Sequence, residues 1–566
     1  MLLMFWEKFA TIETMIYIWT ALPTLALFLA AVYFEKQGQN NRIEDTFAQP
    51  YEAMWTAALF ALGILLRVLF IGRFPAGLNQ DEASIGYDAY ADLTFGVDRN
   101  GYHNPVYSVA WGSGHSGLYI LLLKLSIRYL GLSVFSVRLP NAVFASLALF
   151  AFYGFLRQLR GRRFAQTGLF LLAVNPWHIM MARWGLECNL FPNVFIMGLY
   201  CLVRGRKSEL WYLPALILFG LSLYGYGTAY MFIPVFLLVC ALLLLHRGEL
   251  RLRMMFSAAA LFVLTAVPIG VFMLVNVCGL PEQDWGILSF PRLIDGRYNT
   301  TVTVLGGSFW MNCLQNLGTF VRLLVTQNDE LIWNAISSFG TMYLFSMPLA
   351  LGGVYLVLRT PKHPAQPMVW GMLAGSLVLA SFSELNINRA NVIYVLLIYG
   401  LTEGVYYVST HSAWVRRGLA AAYAISFALF AGCYFGGYQA QIGSAFFEGF
   451  GEAVQQAAVQ TEETVYLTEE VNSPYIYALF YEKTDSHRFL DTVVYEDENS
   501  SVRRVVSFDR YVTGLPEEPN PQEAAAYVAA EQETALFDDE AFTKTPYGNF
   551  YVIVPNTNVN RANLAR

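Results

Sequence analysis

The residues best suited to chemistry stand together at Asp81 and Glu82, in a stretch from Phe74 to Pro105 that follows a long apolar run. A Pro-Ala-Gly turn precedes the two acids. Ionisable groups are costly inside lipid, so carboxylates at the lip of an apolar span point to a functional site. Adjacent side chains share neither a helix face nor a strand face, which argues against a two-carboxylate dyad of the glycosidase kind. One of the pair would then do chemistry while the other orients it. Asp88, Asp98, Arg99, His103 and His115 follow in the same segment.

Three other pieces carry polar groups. Asn175-Pro176-Trp177-His178 leads to Arg183, Glu187 and Asn189. If the chain is helical beyond Pro176, Arg183 and Glu187 stand one turn apart and can pair, as part of a site or as an ordinary interfacial ion pair. Arg389 lies between two apolar spans in Glu384–Asn391, against the usual trend for basic residues. An anionic lipid phosphate would give it a partner, and snorkelling to headgroups is the alternative. The region 277–340 holds Glu282, Asp284, Trp285, Arg292, Asp295, Arg297 and Trp310, none singled out by pattern. Tyr87, Tyr90, Tyr102, Trp111 and Trp177 are candidate platforms for a pyranose, although interfacial aromatic belts place the same residue types there. His103 and His115 lack the i, i+4 spacing of a helical zinc pair, and no cofactor is expected; a divalent cation held by carboxylates is the one metal the acids would suit. The G-x-G spacings at Gly112 and Gly225 lack the strand-turn-helix setting of a phosphate loop.

These groups must be positioned by membrane helices. The 566 residues are 56% hydrophobic and only 14% charged, well below the quarter or so of charged residues usual in soluble domains. Apolar segments of spanning length fall near 15–34, 53–72, 137–157, 164–182, 189–204, 209–225, 230–246, 254–276, 341–358, 368–383, 391–408 and 418–436. That predicts a polytopic α-helical membrane protein with about twelve spans, plus a helix over 117–130 that Lys124 and Arg128 would keep at the interface. The first span reads as a retained anchor, not a cleaved signal. Every second loop is basic: Arg157 to Arg163, Arg204 to Lys207, Arg247 to Arg253, Arg359 to Lys362, and Arg416-Arg417. Basic loops are retained in the cytoplasm, so the loops with Asp81, Arg183 and Arg389 should face outward, with the C-terminal region.

The net charge of −6 gives no reason to expect nucleic acid as a partner. Of six cysteines, only Cys278 and Cys313 could share an outer loop, and spacing alone does not pair them. From Gly437 onward, 21 acidic residues face 8 basic ones. Short β-like runs at 464–467, 504–508 and 549–554 alternate there with helical runs at 473–483 and 522–531. The expected organisation is an N-terminal anchor and linker (1–50), a transmembrane catalytic domain (51–436) and a small extracytoplasmic α/β domain (437–566), the last structural or in contact with an acceptor.

Several motifs carry a family resemblance: F-P-x-G-L-x-x-D-E-A-S-I-G-Y-D-A-Y at Phe74–Tyr90, G-x-D-R-x-G-x-x-x-P at Gly96–Pro105, W-G-S-G at Trp111–Gly114, and G-L-S-V-F-S-V-R-L-P-N-A at Gly131–Ala142. N-P-W-H-I-x-x-A-R-x-G-x-E-x-N at Asn175–Asn189 and, more loosely, N-R-A-N at Asn388–Asn391 continue it. Over about residues 50–410 the chain resembles the bacterial branch of the protein O-mannosyltransferase and aminoarabinose-transferase superfamily, the glycosyltransferase family 39-like enzymes of GT-C type. It departs at Ala390, where that family often has tyrosine after the arginine. The resemblance implies a GT-C fold in the cell membrane. It also implies transfer of a hexose or pentose from a polyprenyl-phosphate carrier, on the outer face, to an envelope polymer, glycolipid or protein hydroxyl. Membrane lipid is then an inherent partner. Asp81 would be the general base, with Glu82 beside it; Arg389, then Arg183, would hold the leaving phosphate; Glu187, His103 and Asp98 would orient acceptor or cations. Single displacement would invert the anomeric centre. A transporter or flippase, a ligand-binding sensor, and a pyrophosphate-dependent polymerase or ligase are the rival readings.

Overall fold

A computed structural model describes residues 22–32, 52–111, 114–293, 308–498, 500 and 502–556. The chain forms two compact units, one from 1–69, 141–269 and 298–436, the other from 70–140, 270–297 and 437–566. The helices that matter below are α1 (Glu52–Val68), α2 (Gln80–Phe95), α3 (Gly117–Leu130), α4 (Val134–Arg160), α5 (Arg162–Ala173), α6 (Pro176–Ala182), α7 (Ile393–His411), α8 (Ala413–Tyr434) and α9 (Pro474–Glu482).

The first unit is helical. Its apolar helices also include Leu190–Gly205, Tyr212–Ser222, Ala229–His246, Met347–Arg359 and Gln366–Phe382. Five helices of the described chain are long and apolar enough to cross a membrane alone: α4, Glu187–Gly205, Ala229–His246, Leu252–Val277 and α8. Of the first expected span, Leu22–Val32 is helical and sets Phe28 against Gly352, while residues 15–21 and 33–34 lie outside the described residues. The helix Met347–Arg359 and α7 approach backbone to backbone, because a Cβ on Gly353 would lie 1.8 Å from the Gly400 carbonyl oxygen. Small residues license that approach in apolar surroundings. The basic loops gather at one end: Arg206 pairs with Glu249 and donates to Pro364 O, and Arg247 donates to His363 O. The opposite end gathers 175–189 and 384–391, where Trp177 Nε1 and Asn189 both meet the Asn391 side chain.

The second unit contains a seven-stranded sheet: β1 (Val465–Leu467), β2 (Val494–Tyr495), β3 (Val505–Phe508), β4 (Tyr511–Thr513), β5 (Ala526–Ala530), β6 (Phe542–Tyr547) and β7 (Phe550–Pro555). Its order is β6-β7-β5-β1-β4-β3-β2, with β1 parallel to both neighbours and the other pairs antiparallel. The expected strands at 464–467, 504–508 and 549–554 and the helix at 473–483 are present. The expected helix at 522–531 is instead β5, buried along its whole length, followed by a 3-10 turn over Glu531–Leu536. Pairing on both edges with β7 and β1 outweighs the helical preference of its alanines, since propensity is worth only tenths of a kcal/mol per residue. Both Cys278 and Cys313 are free thiols.

Candidate active site

Helix α2 begins at Asp81 because the sequence builds a cap there. Asn79 accepts from the Asp81 amide (2.9 Å) and its own amide donates to Glu82 Oε2 (3.1 Å), a capping box. Gly96, at φ 87°, ends the helix in a conformation glycine adopts without strain. The 74–105 segment is thus centred on a 16-residue helix, and Asp81, Asp88 and Asp92 fall along one side of it.

The two adjacent acids have different work. Glu82 is fully buried and receives Arg138 Nε and Nη2 at 2.8 Å each, a bidentate pair. The other Arg138 donors go to the carbonyls of Ile71 (3.0 Å), Pro75 (2.6 Å) and Gly77 (2.7 Å). All five guanidinium N–H groups are therefore committed, tying the 71–77 turn to the start of α2. Asp81, partly exposed, accepts from Trp111 Nε1 at 2.8 Å. Trp111 holds a positive φ of 49°, its ring lying 5.2 Å from the Arg99 guanidinium and edge-on to Tyr475.

Below Trp111 lies a second acidic pair. Arg99 Nη1 is 3.5 Å from Asp88 Oδ2, and Ser108 Oγ is 3.4 Å from both Asp88 Oδ2 and Asp98 Oδ2. Asp98 Oδ1 also accepts from the amides of Asn100 (2.8 Å) and Tyr102 (3.0 Å). Burial first, then Asp88, push the Asp98 carboxyl up to about 7; burial likewise raises Asp88 against the pull of Arg99. His115 Nε2 meets Ser84 Oγ at 3.1 Å. His103 belongs to the far end of α2, where Nδ1 is 2.9 Å from Asp92 and 2.8 Å from Gly96 O. Asp92 there also holds Lys124 of α3. Asp92 lies eleven residues beyond Asp81, about 16 Å along the helix axis at 1.5 Å per residue, so His103 attends Asp92 and not Asp81. Lys124, on α3, faces α2, while Leu121, Leu125 and Tyr129 are exposed on that helix.

In the first unit, α6 stops at Ala182, so the expected continuous turn from Arg183 to Glu187 is absent; Glu187 opens a separate 3-10 turn. Buried Arg183 donates to Leu66 O and Leu69 O (2.7 Å each) and lies 4.9 Å from the Phe435 ring. It thereby caps the C-terminal end of α1, where a cation is favoured. Arg389 is half-buried, and among the described residues its guanidinium donates only to Glu384 O at 2.9 Å. A buried pair was missed from sequence: Arg67, inside the expected span 53–72, donates to His178 Nδ1 at 2.9 Å and to three carbonyls. Guanidinium has no acceptor, so Nδ1 must accept and Nε2 carries the proton toward Asn193 Oδ1 (3.1 Å), which makes His178 neutral. An arginine within an apolar run was the available signal. Tyr87, fully buried with its hydroxyl on Thr484 O, and Trp177, stacked on Tyr394, are core residues and not sugar platforms. Among the described residues no group of three His, Cys, Asp or Glu is arranged to hold a metal ion. Asp295 and Arg297 lie outside the described residues.

Residues 115–272 match the family model described as dolichyl-phosphate-mannose-protein mannosyltransferase. The structure of ArnT from Cupriavidus metallidurans bound to undecaprenyl phosphate superposes with a TM-score of 0.53 at 14% identity, covering 88% of this chain and 98% of that one. The chain has the GT-C fold. The Archaeoglobus fulgidus oligosaccharyltransferase is similar at 13% identity and a TM-score of 0.49, over 75% of this chain and 61% of that one. The Saccharomyces cerevisiae protein O-mannosyltransferase Pmt1-Pmt2 complex bound to the sugar donor aligns over 40% of this chain and 34% of its own, at 15% identity and a TM-score of 0.31. No curated protein matches the sequence. The resemblance read from the motifs is thus met by both the family match and the GT-C fold.

Proposed function

We propose that the protein is an inverting glycosyltransferase of the cell membrane, moving a sugar from a polyprenyl-phosphate carrier to an acceptor hydroxyl on the outer face. The observation that carries this reading is Asp81, fixed by a capping box, a fully committed arginine clamp and an indole N–H in a chain of GT-C fold. Positioning of that kind is what proton abstraction requires. As the acceptor oxygen bonds to the anomeric carbon, the carbon–oxygen bond to the carrier phosphate breaks. The hydroxyl proton passes to the Asp81 carboxylate, and the phosphate keeps the bonding pair. Its growing negative charge calls for a cation; Arg389 is assigned that role first, because among the described residues a single backbone hydrogen bond occupies its guanidinium, and Arg183 second. Glu82 positions the Asp81 helix through Arg138, Asp98 backs Trp111 through Arg99, His103 acts at a distance from the proton transfer, and Glu187 is assigned to orienting the acceptor or the cations. The alternation of basic loops supports an outward site and an outward C-terminal region.

Incubating membranes with labelled polyprenyl-phosphate sugars tests the assignment. Asn at position 81 can still accept from Trp111, so Asp81→Asn should insert and fold normally while transfer falls by about 10²–10⁴. Retained transfer would remove Asp81 from the mechanism.

A further inference from the structure

In the first unit, the chain leaves the helix Phe309–Thr326 through Gln327, which is fully buried at a positive φ of 53°. Its side chain draws a loop shut: Oε1 accepts from Met342 N at 2.9 Å and Nε2 donates to Leu344 O at 3.3 Å. A Cβ on Gly340, itself at φ 66°, would lie 2.8 Å from Gln327 Cβ, so the neck closes tightly. Compact loops with joined ends are frequently functional. This one, 328–341, fastens to both segments that carry the candidate arginines. On one flank Trp177 N donates to Thr341 O at 2.9 Å, and beside the neck Tyr343 OH donates to Val174 O at 2.7 Å. On the other flank Asp329 Oδ2 accepts from Ile387 N at 2.9 Å.

Ile387 opens the four-residue helix Ile387–Ala390 that carries Arg389, and the Asn386 side chain accepts from Arg389 N at 2.9 Å. One turn of helix does not hold itself together, so its direction is set by what grips its two ends. The far end is gripped by neutral amides: the Asn391 side chain accepts from Trp177 Nε1 at 2.7 Å and donates to Asn189 Oδ1 at 3.1 Å. The near end is gripped by a charged acceptor, and such bonds are roughly twice as strong as neutral ones. Asp329 is itself fixed, accepting from Asn334 Nδ2 at 2.9 Å through Oδ2 and from Leu331 N at 3.2 Å through Oδ1. Ile387 and Ala390 are buried, while Arg389 between them is half-buried. Without the carboxylate, the Ile387 amide loses its acceptor and the turn can pivot about Asn391. A shift of about 1 Å in a group that positions substrate can cost about 10² in rate.

We propose that Asp329 is a positioning residue for transfer: through the Ile387 amide it fixes the Ile387–Ala390 turn, so that Arg389 is aimed at the carrier phosphate. It touches no substrate and acts only through Arg389. The inference therefore rests on the assignment of Arg389 to that phosphate.

The affinity of the purified full chain for undecaprenyl phosphate tests it in a double-mutant cycle of Asp329→Ala and Arg389→Gln. Each single variant should bind about tenfold more weakly, and the double variant should match Arg389→Gln within about twofold. Asp329→Asn, which keeps an acceptor oxygen for the Ile387 amide, should recover most of the loss. A residue that served only the stability of the fold would leave the affinity of the folded chain unchanged. Binding by Asp329→Ala within about twofold of the unmodified chain would overturn the proposal, as would losses that multiply in the double variant; both leave the assignment of Arg389 standing. Unweakened binding by Arg389→Gln would instead remove that assignment, and the proposal with it. Should Asp329→Ala not fold, Ile387→Pro takes its place in the cycle with the same outcomes expected. It deletes the donor N–H at the first helical position, where proline is accommodated, and leaves the carboxylate in place.

Discussion

At the scale of single residues, Trp111 is the side chain that joins the two acidic groups of the second unit: its N–H holds Asp81 while its ring covers Arg99. A hydrogen bond to a charged acceptor is worth about 1.5–3 kcal/mol, so Trp111→Phe, which keeps a ring over Arg99, should lower kcat about tenfold with KM little changed. Steady-state transfer kinetics would show it, and an unaltered kcat would make the indole N–H dispensable. Asp98 gives a prediction of a different kind. Its carboxyl holds a proton up to about 7 in the folded chain, against an ordinary value of 3.8 when unfolded. The stability this contributes is full below the unfolded value and is lost as pH rises through about 7, since the unfolded chain releases its proton first. Asp98→Asn keeps an acceptor for the Asn100 and Tyr102 amides and removes the ionisation. Thermal melting of the full chain should therefore rise by at least about 3 °C at pH 8 and by clearly less at pH 5. Equal changes at both pH values would mean the carboxyl is ionised throughout. Little of this pairing could be read from sequence, where Asp88, Asp98 and Arg99 are three polar residues of one segment; their convergence depends on the Ser108 hydroxyl and on burial.

At the scale of elements, Asp81 was expected in a loop, whereas it opens helix α2, although the cap that starts the helix stands in the sequence. Asn79 three residues before Glu82 is a capping signature, and the glycine at 96 is its stop. What spacing cannot show is that Glu82 spends both oxygens on an arginine 56 residues further along. Removing one partner of a buried pair strands the other charge. Arg138→Met should then cost about 3–5 kcal/mol, and adding Glu82→Gln should recover much of it. Chemical or thermal unfolding of the two variants measures this, and additive losses would deny the coupling. The alanine-rich run at 525–530 failed in the opposite sense. Its local preference is helical, yet Tyr527, Val528 and the four alanines are buried as β5 and its flank, a context no single-sequence pattern carries. Arg183 and Glu187 would stand one turn apart only if the helix continued past Ala182; Gly185 between them falls after the end of α6, in the break before the next turn.

At the scale of the whole molecule, apolar length and alternating basic loops disclosed the class, because lipid imposes those constraints on sequence directly. The partnership between residues 70–140 and the last 120 or so residues left no such trace. A Cβ on Gly77 would lie 2.4 Å from Phe446 O, and Gly77 itself has a φ of 74°. Leu78 N donates to Phe446 O at 2.8 Å, Ala76 N to Gln439 Oε1 at 2.8 Å, and Tyr477 OH of α9 to Leu78 O at 3.0 Å. Further along, Tyr87 OH reaches Thr484 O and Ser486 Oγ reaches Val97 O, while Phe480 packs on Gly86. The helix that presents Asp81 is therefore a core element of the acidic C-terminal fold, and Ile85, Tyr87 and Ala89 are fully buried on it. A chain ending at Gly436 should still insert, since its apolar helices are intact, but should lose transfer completely and become sensitive to protease between about 78 and 110. Cutting the intact protein at an engineered site after Gly436 should give the reverse: two fragments that stay together through gel filtration and keep most of their activity, because the contacts are already made. Full activity in the shortened chain would show that the C-terminal fold is an accessory and that α2 stands without it.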